Sequence, residues 1–243
     1  MKVMLFAAGL GTRLRPLTDT SPKALVPVAG HPLLDITLRR LVSQGASEVV
    51  VNVHHFGDQI IRYVEAHDWG IPVRISDERA ELLDTGGGLR KAASLFTADE
   101  RPILIHNVDI LSDAPLRDFY DRHIHDEAAL LVSARQTQRF LLFDDSGSLA
   151  GWTNTSTGVV RTPYPDLQVQ AMHRWAFSGI HCFSPRLFDL MQSFPPKFSI
   201  MDFYLHICGK VHIKGDYCEH LHLLDVGKLD TLAQAETFYK ANY

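Results

Sequence analysis

Apolar positions fall in short blocks, and between the blocks they recur every three or four residues. Val3–Ala7 is a continuous apolar run that reads as a buried strand, with a glycine-rich loop after it. Leu33–Gln44 carries Leu34, Leu38, Leu41 and Val42 on one helical face, and Gly45 stands where a left-handed residue would end the helix. Glu48–Val53 predicts a second strand and Asp58–Ala66 a helix with Ile60, Ile61 and Val64 on one side. Val73–Ser76 (strand), Gly88–Phe96 (short helix) and Pro102–His106 (strand) follow, the last running into Asn107-Val108-Asp109. Leu116–His125 predicts a helix and Ala129–Ala134 a strand.

Strand and helix alternating at this pace is the sequence form of βαβ units on a parallel sheet, so the chain is α/β. The rhythm breaks after Ala134. Phe140–Phe143 and Leu149–Trp152 flank the turn residues Asp144-Asp145-Ser146-Gly147, which predicts an antiparallel hairpin. Thr153–His173 is polar, with Pro163 and Pro165, and is expected to be a substrate-side loop. Ala176–Phe183 reads as a strand, Pro185–Met191 as a helix with proline at its first position, His220–Leu224 as a strand ending at Asp225, and Leu229–Tyr239 as the last helix. No repeat and no linker rich in Gly, Ser or Pro divides the chain. One domain over 1–243 is expected, in two halves that meet near residue 110.

Composition narrows the partners. With 243 residues, 46% hydrophobic and 21% charged, the chain is ordinary globular and needs neither disulfide nor metal to fold. Its net charge of −4 argues against a broad grip on nucleic acid but leaves room for a local basic pocket. Cys182, Cys208 and Cys218 form no CxxC pair and read as free thiols in a reducing compartment. The N-terminal apolar run is too short for a signal peptide, and no run has the ~20 apolar residues of a membrane helix. A cytoplasmic protein with no membrane partner is expected. Thirteen histidines invite a zinc reading. Apart from His220-x-His222 they lack ligand spacing, so solvated or hydrogen-bonded histidine is expected. Trp69, Trp152 and Trp175 read as core or pocket wall.

The segment from Ala7 to Pro27 carries the chemistry. Gly9 and Gly11 directly after a buried strand let backbone amides face an anion with no Cβ between. Arg13 offers a planar fork for phosphate oxygens and Lys23 a mobile point charge, held in extended chain between Pro22 and Pro27. A GxGxxG dinucleotide fingerprint would need a small residue at Leu14, and the Walker A pattern is absent.

Gly9-x-Gly11-Thr12-Arg13, followed by Pro22-Lys23 and Pro27, resembles the signature loop of the sugar-1-phosphate nucleotidylyltransferases position for position. The resemblance runs over nearly the whole chain and implies a nucleotide-binding half over about 1–110 and a sugar-binding half over about 111–243. It implies a Rossmann-like three-layer αβα sandwich around a mostly parallel mixed central sheet, with no C-terminal β-helix extension. It implies that Ala8, Gly9, Leu10, Gly11, Thr12, Arg13 and Lys23 bind a nucleoside triphosphate. Thr85, Gly86 and Gly87 of the Leu83–Leu89 segment would line the nucleobase site, and Asn107 and Gly179 would face the sugar.

Nucleotidyl transfer calls for Mg²⁺, which takes one or two carboxylates plus substrate phosphates. Asp109 and Asp225 both follow apolar strands, at the sheet end where α/β proteins bind ligands. They match the family's N-G-D and D-V-G metal-linked segments, with Val108 in place of glycine. Arg13, Lys23 and Asp109 are thus the implied catalytic set. The short length and the Thr85–Gly88 run resemble N-acetylmuramate-1-phosphate uridylyltransferases, then mannose- or heptose-1-phosphate guanylyltransferases, with a phosphocholine cytidylyltransferase third. Two readings of other classes stand beside these: a non-catalytic subunit that binds nucleotide sugars, and a nicotinamide-dependent oxidoreductase. Base, sugar and oligomeric state are not legible.

Overall fold

A computed structural model describes residues 1–243. Its centre is a ten-stranded mixed sheet. Four parallel strands form the nucleus in the order β6 (Ile103–Asn107), β1 (Lys2–Phe6), β4 (Glu48–Val53) and β5 (Val73–Asp77). The long β12 (His173–Phe183) runs antiparallel to β6 and carries the sheet onward to β8 (Ala128–Ser133) and β9 (Arg139–Phe143). The hairpin β9–β10 (Leu149–Asn154) forms as its turn residues predict, and β13 (Ile213–Tyr217) adds to β8 in parallel.

Helices cover both faces, which is why the central strands are unbroken apolar runs. Side chains alternate across β1: Val3 and Leu5 pack with α1 (Leu33–Ser43), α2 (Gly57–Glu65), α4 (Leu116–Arg122) and α6 (Leu232–Asn242), while Met4 and Phe6 pack with α3 (Asp84–Ala92) and α5 (Ile200–Ile207). This is the expected three-layer α/β/α arrangement. No helix is long and apolar enough to cross a membrane.

The helix α1 ends where Gly45 predicts. Gly45 has φ 87°, its N–H donates to the Val42 carbonyl, and the Ala46 N–H donates to that of Leu41, a Schellman closure. A small hairpin, β2 (Pro27–Val28) and β3 (His31–Pro32), turns at Ala29 and Gly30, both with positive φ.

Several elements depart from the pattern-based expectation. The helix expected over Gly88–Phe96 begins four residues earlier, so the glycine run lies inside α3. Pro185–Met191 is not an α-helix but part of two 3₁₀ turns, Pro185–Phe188 and Leu190–Ser193. Lys23 is not in extended chain but opens a 3₁₀ turn, Lys23–Leu25. Within the expected loop Thr153–His173, β11 (Val160–Arg161) pairs with β10. The strand expected over His220–Leu224 is shorter, β14 (Leu223–Asp225), and it pairs with β7 (Ile110–Ser112), which periodicity does not announce.

Replacing Gly45 by alanine forces an L side chain into the left-handed region. We expect a loss of about 1–2 kcal/mol, read as a lower urea midpoint with an unchanged m-value.

Candidate active site

The order β6-β1-β4-β5 reverses direction between β1 and β6, because the chain leaves β1 toward β4 and later returns to β1's other edge. Such a switch point opens a crevice at the carboxyl ends of the strands. Phe6 of β1 sits opposite Asn107 of β6, so the loop after one strand and the Asn107-Val108-Asp109 segment after the other start side by side.

The glycine loop is built by what surrounds it. Gly11 has φ 65°, and a Cβ there would lie 2.9 Å from Thr18 Cγ2 and 3.0 Å from Lys23 Cβ, so only glycine fits. A Cβ on Gly9 would meet nothing within 4 Å. The Ala7 and Ala8 amides donate to Asn52 Oδ1 at 2.8 and 3.3 Å. Those of Gly9, Leu10 and Gly11 have no acceptor within the chain. Free amides on a turn containing a left-handed residue make an anion-binding concavity.

Lys23 is not the mobile charge its sequence context suggests. It is largely buried, and its ammonium donates to the carboxylate of Asp109. Asp109 and Asp225 are then drawn together by the β7–β14 ladder. Asp225 lies opposite Ile110, and the Val226 N–H donates to the Asp109 carbonyl at 2.8 Å. Gly227 completes the corner. A Cβ there would fall 2.6 Å from Asp225 Oδ1 and 2.7 Å from Arg13 Nη2, so glycine keeps open the gap that these two groups face. Val108 is buried in the core, with its N–H on the Phe6 carbonyl and its own carbonyl accepting from Thr37 Oγ1.

Two adjoining cavities result. The first, about 540 Å³, is lined by Ala8, Gly9, Leu10, Gly11, Thr12, Arg13, Lys23, Thr85, Asn107 and Asp109, all of them residues singled out from sequence. The second, about 800 Å³, is lined by Gly179 and Asp225 and shares Phe6, Arg13, Thr85 and Asn107 with the first. Gly179 has φ 80° at the point where β12 shifts register against β8. The close approach expected there is to Asn107, whose Nδ2 lies 2.8 Å from where a Cβ would be.

Gly86 and Gly87 line neither cavity. Their amides donate to the Phe198 carbonyl at 2.9 and 3.2 Å, and added Cβ atoms would lie 2.3 Å from the Phe198 ring and 2.3 Å from the Pro196 carbonyl oxygen. These glycines let α3 pack against the segment before α5, and Thr85 alone of the three reaches the cavity. Groups of three or more His, Cys, Asp or Glu that could hold a metal ion are not found.

Sequence reasoning missed Asn52 and Glu78. Asn52 lines the first cavity and donates through Nδ2 to Glu78 Oε1 at 2.8 Å, while Glu78 Oε2 accepts the Leu83 N–H. Glu78 is fully buried, and that burial pushes its carboxyl above the usual range. It ties the loop after β1 to the start of α3. No motif could have revealed this link, which depends on β4 and β5 ending together. Lys197 and His181 were also unannounced as lining residues, whereas Trp152 lines the second cavity as its reading as core or pocket wall allows. Burial holds His181 near pKa 3, a neutral imidazole whose Nδ1 shares a 2.7 Å hydrogen bond with the Tyr204 hydroxyl.

An α/β sheet with a phosphate-type loop, a lysine–carboxylate pair and two cavities at its switch point is the architecture of a nucleotide-handling transferase fold. Residues 2–140 match the family model described as nucleotidyl transferase, and the chain belongs to that family. It is similar to the N-acetylmuramate alpha-1-phosphate uridylyltransferase of Caulobacter vibrioides, 48% identical over 109 residues, 44% of each chain. The Neisseria meningitidis protein of that name is 42% identical over 114 residues, 46% of this chain and 48% of the other. Mannose-1-phosphate guanyltransferase beta-A of Xenopus laevis is 27% identical over 201 residues, 80% of this chain and 53% of that protein. The matched stretches thus span about half the length of these relatives. Among solved structures, HddC from Yersinia pseudotuberculosis complexed with GMP-PN aligns with TM-score 0.73 at 20% identity over 97% of this chain and 98% of that one. UDP-glucose pyrophosphorylase from Acinetobacter baumanii gives 0.78 at 16% identity, covering 98% and 92%. At that identity the likeness is one of fold.

Two predictions follow from this geometry. Gly179→Ala strains a left-handed residue and pushes Asn107 aside, so it should lose about 1–3 kcal/mol in urea unfolding. For Glu78 the folded pKa lies above the unfolded one, near 4.5. Its contribution is full below that value and declines as pH rises through the folded pKa. Wild-type stability should therefore fall relative to Glu78→Gln as pH rises above about 4.5, and a flat difference would mean that the carboxylate is fully compensated.

Proposed function

We propose that the chain transfers a nucleoside monophosphate from a nucleoside triphosphate to a sugar 1-phosphate, releasing pyrophosphate. The observation that carries this is one cavity holding the free amides of Gly9 to Gly11 beside Arg13, Lys23 and Asp109. In this reading the triphosphate lies on the loop with its base toward Leu82 and Thr85. The sugar 1-phosphate occupies the second cavity beside Asn107 and Gly179. A phosphate oxygen of the sugar attacks the α-phosphorus in line, the bond to the β-phosphoryl oxygen breaks, and pyrophosphate departs toward Arg13.

Lys23 stabilises the charge that develops at the α-phosphate, from a buried position that needs no reorganisation. Its pairing with Asp109 holds the ammonium at the cavity wall. The side chains present suit Mg²⁺, which takes one or two carboxylates together with phosphate oxygens and water, and Asp109 just before β7 and Asp225 at the end of β14 supply two. When bound by Asp109 and Asp225, Mg²⁺ would supply charge neutralisation at the reacting phosphates. No side-chain nucleophile is required, so positioning and electrostatics carry the catalysis.

The preferred substrates are UTP and N-acetylmuramate 1-phosphate, supported by the 48% and 42% identity that the two uridylyltransferases named above share with nearly half of this chain. A GTP-dependent mannose- or heptose-1-phosphate guanylyltransferase is the second reading, favoured by the 80% of this chain that aligns with the Xenopus guanyltransferase. In either case residues 1–243 act as one catalytic domain in the cytoplasm, without nucleic-acid or membrane partners. A subunit that binds nucleotide sugars without chemistry would have no need of the pairing of buried Lys23 with half-buried Asp109.

The test is pyrophosphate release from four nucleoside triphosphates against N-acetylmuramate, mannose and heptose 1-phosphates. We expect turnover with one pair, lost on chelation and reduced about 10²–10³-fold in Lys23→Ala and Asp109→Ala. Saturable triphosphate binding without turnover would move the reading to a non-catalytic subunit. Absence of triphosphate binding would sink it.

A further inference from the structure

The second cavity inverts the charge of the chain around it. The protein carries a net charge of −4, yet Arg13, Arg135, Arg139 and Lys228 face this cavity against the single carboxylate of Asp225. Arginines on the neighbouring surface hold carboxylates: Arg122 with Asp216, Arg161 with Asp202, Arg186 with Glu100. Arg135 instead donates to the Phe177 carbonyl at 3.1 Å, and Arg139 and Lys228 have no acidic side chain within 4 Å. Arg135 stands on the connection from β8 to β9 and Arg139 opens β9, both at the cavity rim.

Their place along β12 is informative. Trp175 of β12 sits opposite Leu141 of β9, and the two strands run antiparallel, so Arg139 comes level with Phe177, the residue whose carbonyl Arg135 holds. Gly179, against Asn107, is two residues further along β12, about 7 Å away. A hexose ring spans that distance. The phosphoryl group of a sugar 1-phosphate lies at the Asn107 end in the reading above, where Arg13, Lys23 and the two aspartates already attend it. The arginines at the Phe177 end are surplus to one phosphate. Leu141, Trp152 and Phe177 supply an apolar wall between the two ends, suited to the face of a sugar ring.

We infer that Arg135 and Arg139 form a second anion subsite, and that the acceptor is a sugar 1-phosphate bearing a further acidic group, a carboxylate or a phosphoryl ester, on the ring edge remote from C1. The inference rests on the transferase reading and deepens it by naming the substrate class and the residues that select it. Planar guanidinium forks bind either group in bidentate fashion, and a neutral sugar leaves both forks without a partner.

The experiment compares kcat/KM of the 243-residue chain for three acceptors with the preferred triphosphate. N-acetylglucosamine 1-phosphate is neutral beyond its phosphate, N-acetylmuramate 1-phosphate adds a lactyl carboxylate, and glucose 1,6-bisphosphate adds a phosphoryl ester. Wild type should favour one acidic acceptor over the neutral one by at least about tenfold. In Arg139→Gln that ratio should fall about tenfold, with Arg139→Lys restoring part of it. Which acidic acceptor wins identifies the group. Arg139 is exposed, so the substitution tests selectivity rather than folding, and unchanged thermal unfolding checks this. A wild type that uses the neutral acceptor equally well, or a ratio unmoved by Arg139→Gln, would overturn the subsite while leaving the transferase reading intact. No pyrophosphate from any acceptor would overturn both.

Discussion

The site depends on one strand pairing, the parallel register of β1 with β6 that sets Phe6 opposite Asn107. It is made in the middle of the sheet, buried under helices on both sides, where a one-residue slip would turn every apolar side chain to the wrong face. That constraint lets a phosphate-type loop and a carboxylate a hundred residues apart meet in one cavity. The pairing of β7 with β14 repeats the device on a smaller scale and adds Asp225 beside Asp109.

Buried polar groups hold the rest. The Asn52 side chain sits between the Ala7 and Ala8 amides on one side and Glu78 on the other, so the loop is fixed by the ends of β4 and β5 as well as by β1. With its first amides taken up in this way, the loop leaves those of Gly9 to Gly11 without an acceptor in the chain. Lys23 follows the same logic. A lysine free to move in water would lose entropy on gripping phosphate, whereas one seated on Asp109 is already placed. The cost of burying the pair is offset only if both partners stay, so removing either strands the other.

In the proposed reading the two cavities divide the labour that a transferase needs. The first is shaped by backbone and glycine, which suits a polyphosphate common to every nucleotide. The second is lined by side chains from β9, β10 and β12, the antiparallel additions to the parallel nucleus. Substrate choice can therefore change there without disturbing the loop. The neutral His181 behind its wall, bonded to Tyr204, gives that side a rigid, uncharged floor.

Much of this was legible in the chain itself. Periodicity located the central strands, α1 and its Gly45 stop, and the hairpin at Asp144–Gly147, because each depends on neighbours close in sequence. The Gly9–Pro27 motif marked Arg13 and Lys23, and strand ends marked Asp109 and Asp225. What the sequence could not carry was every property fixed by distant backbone. Gly86 and Gly87 read as lining a nucleobase site, yet they face Phe198 and Pro196, which approach too closely for any Cβ. Lys23 read as mobile, yet it is buried on Asp109 because β1 and β6 are neighbours. Asn52, Glu78 and the Arg135–Arg139 rim carry no local mark at all. Residue type and spacing determined which groups are available for chemistry here, whereas strand order and close packing decided which of them meet, since contact between distant residues exists only once the sheet has formed.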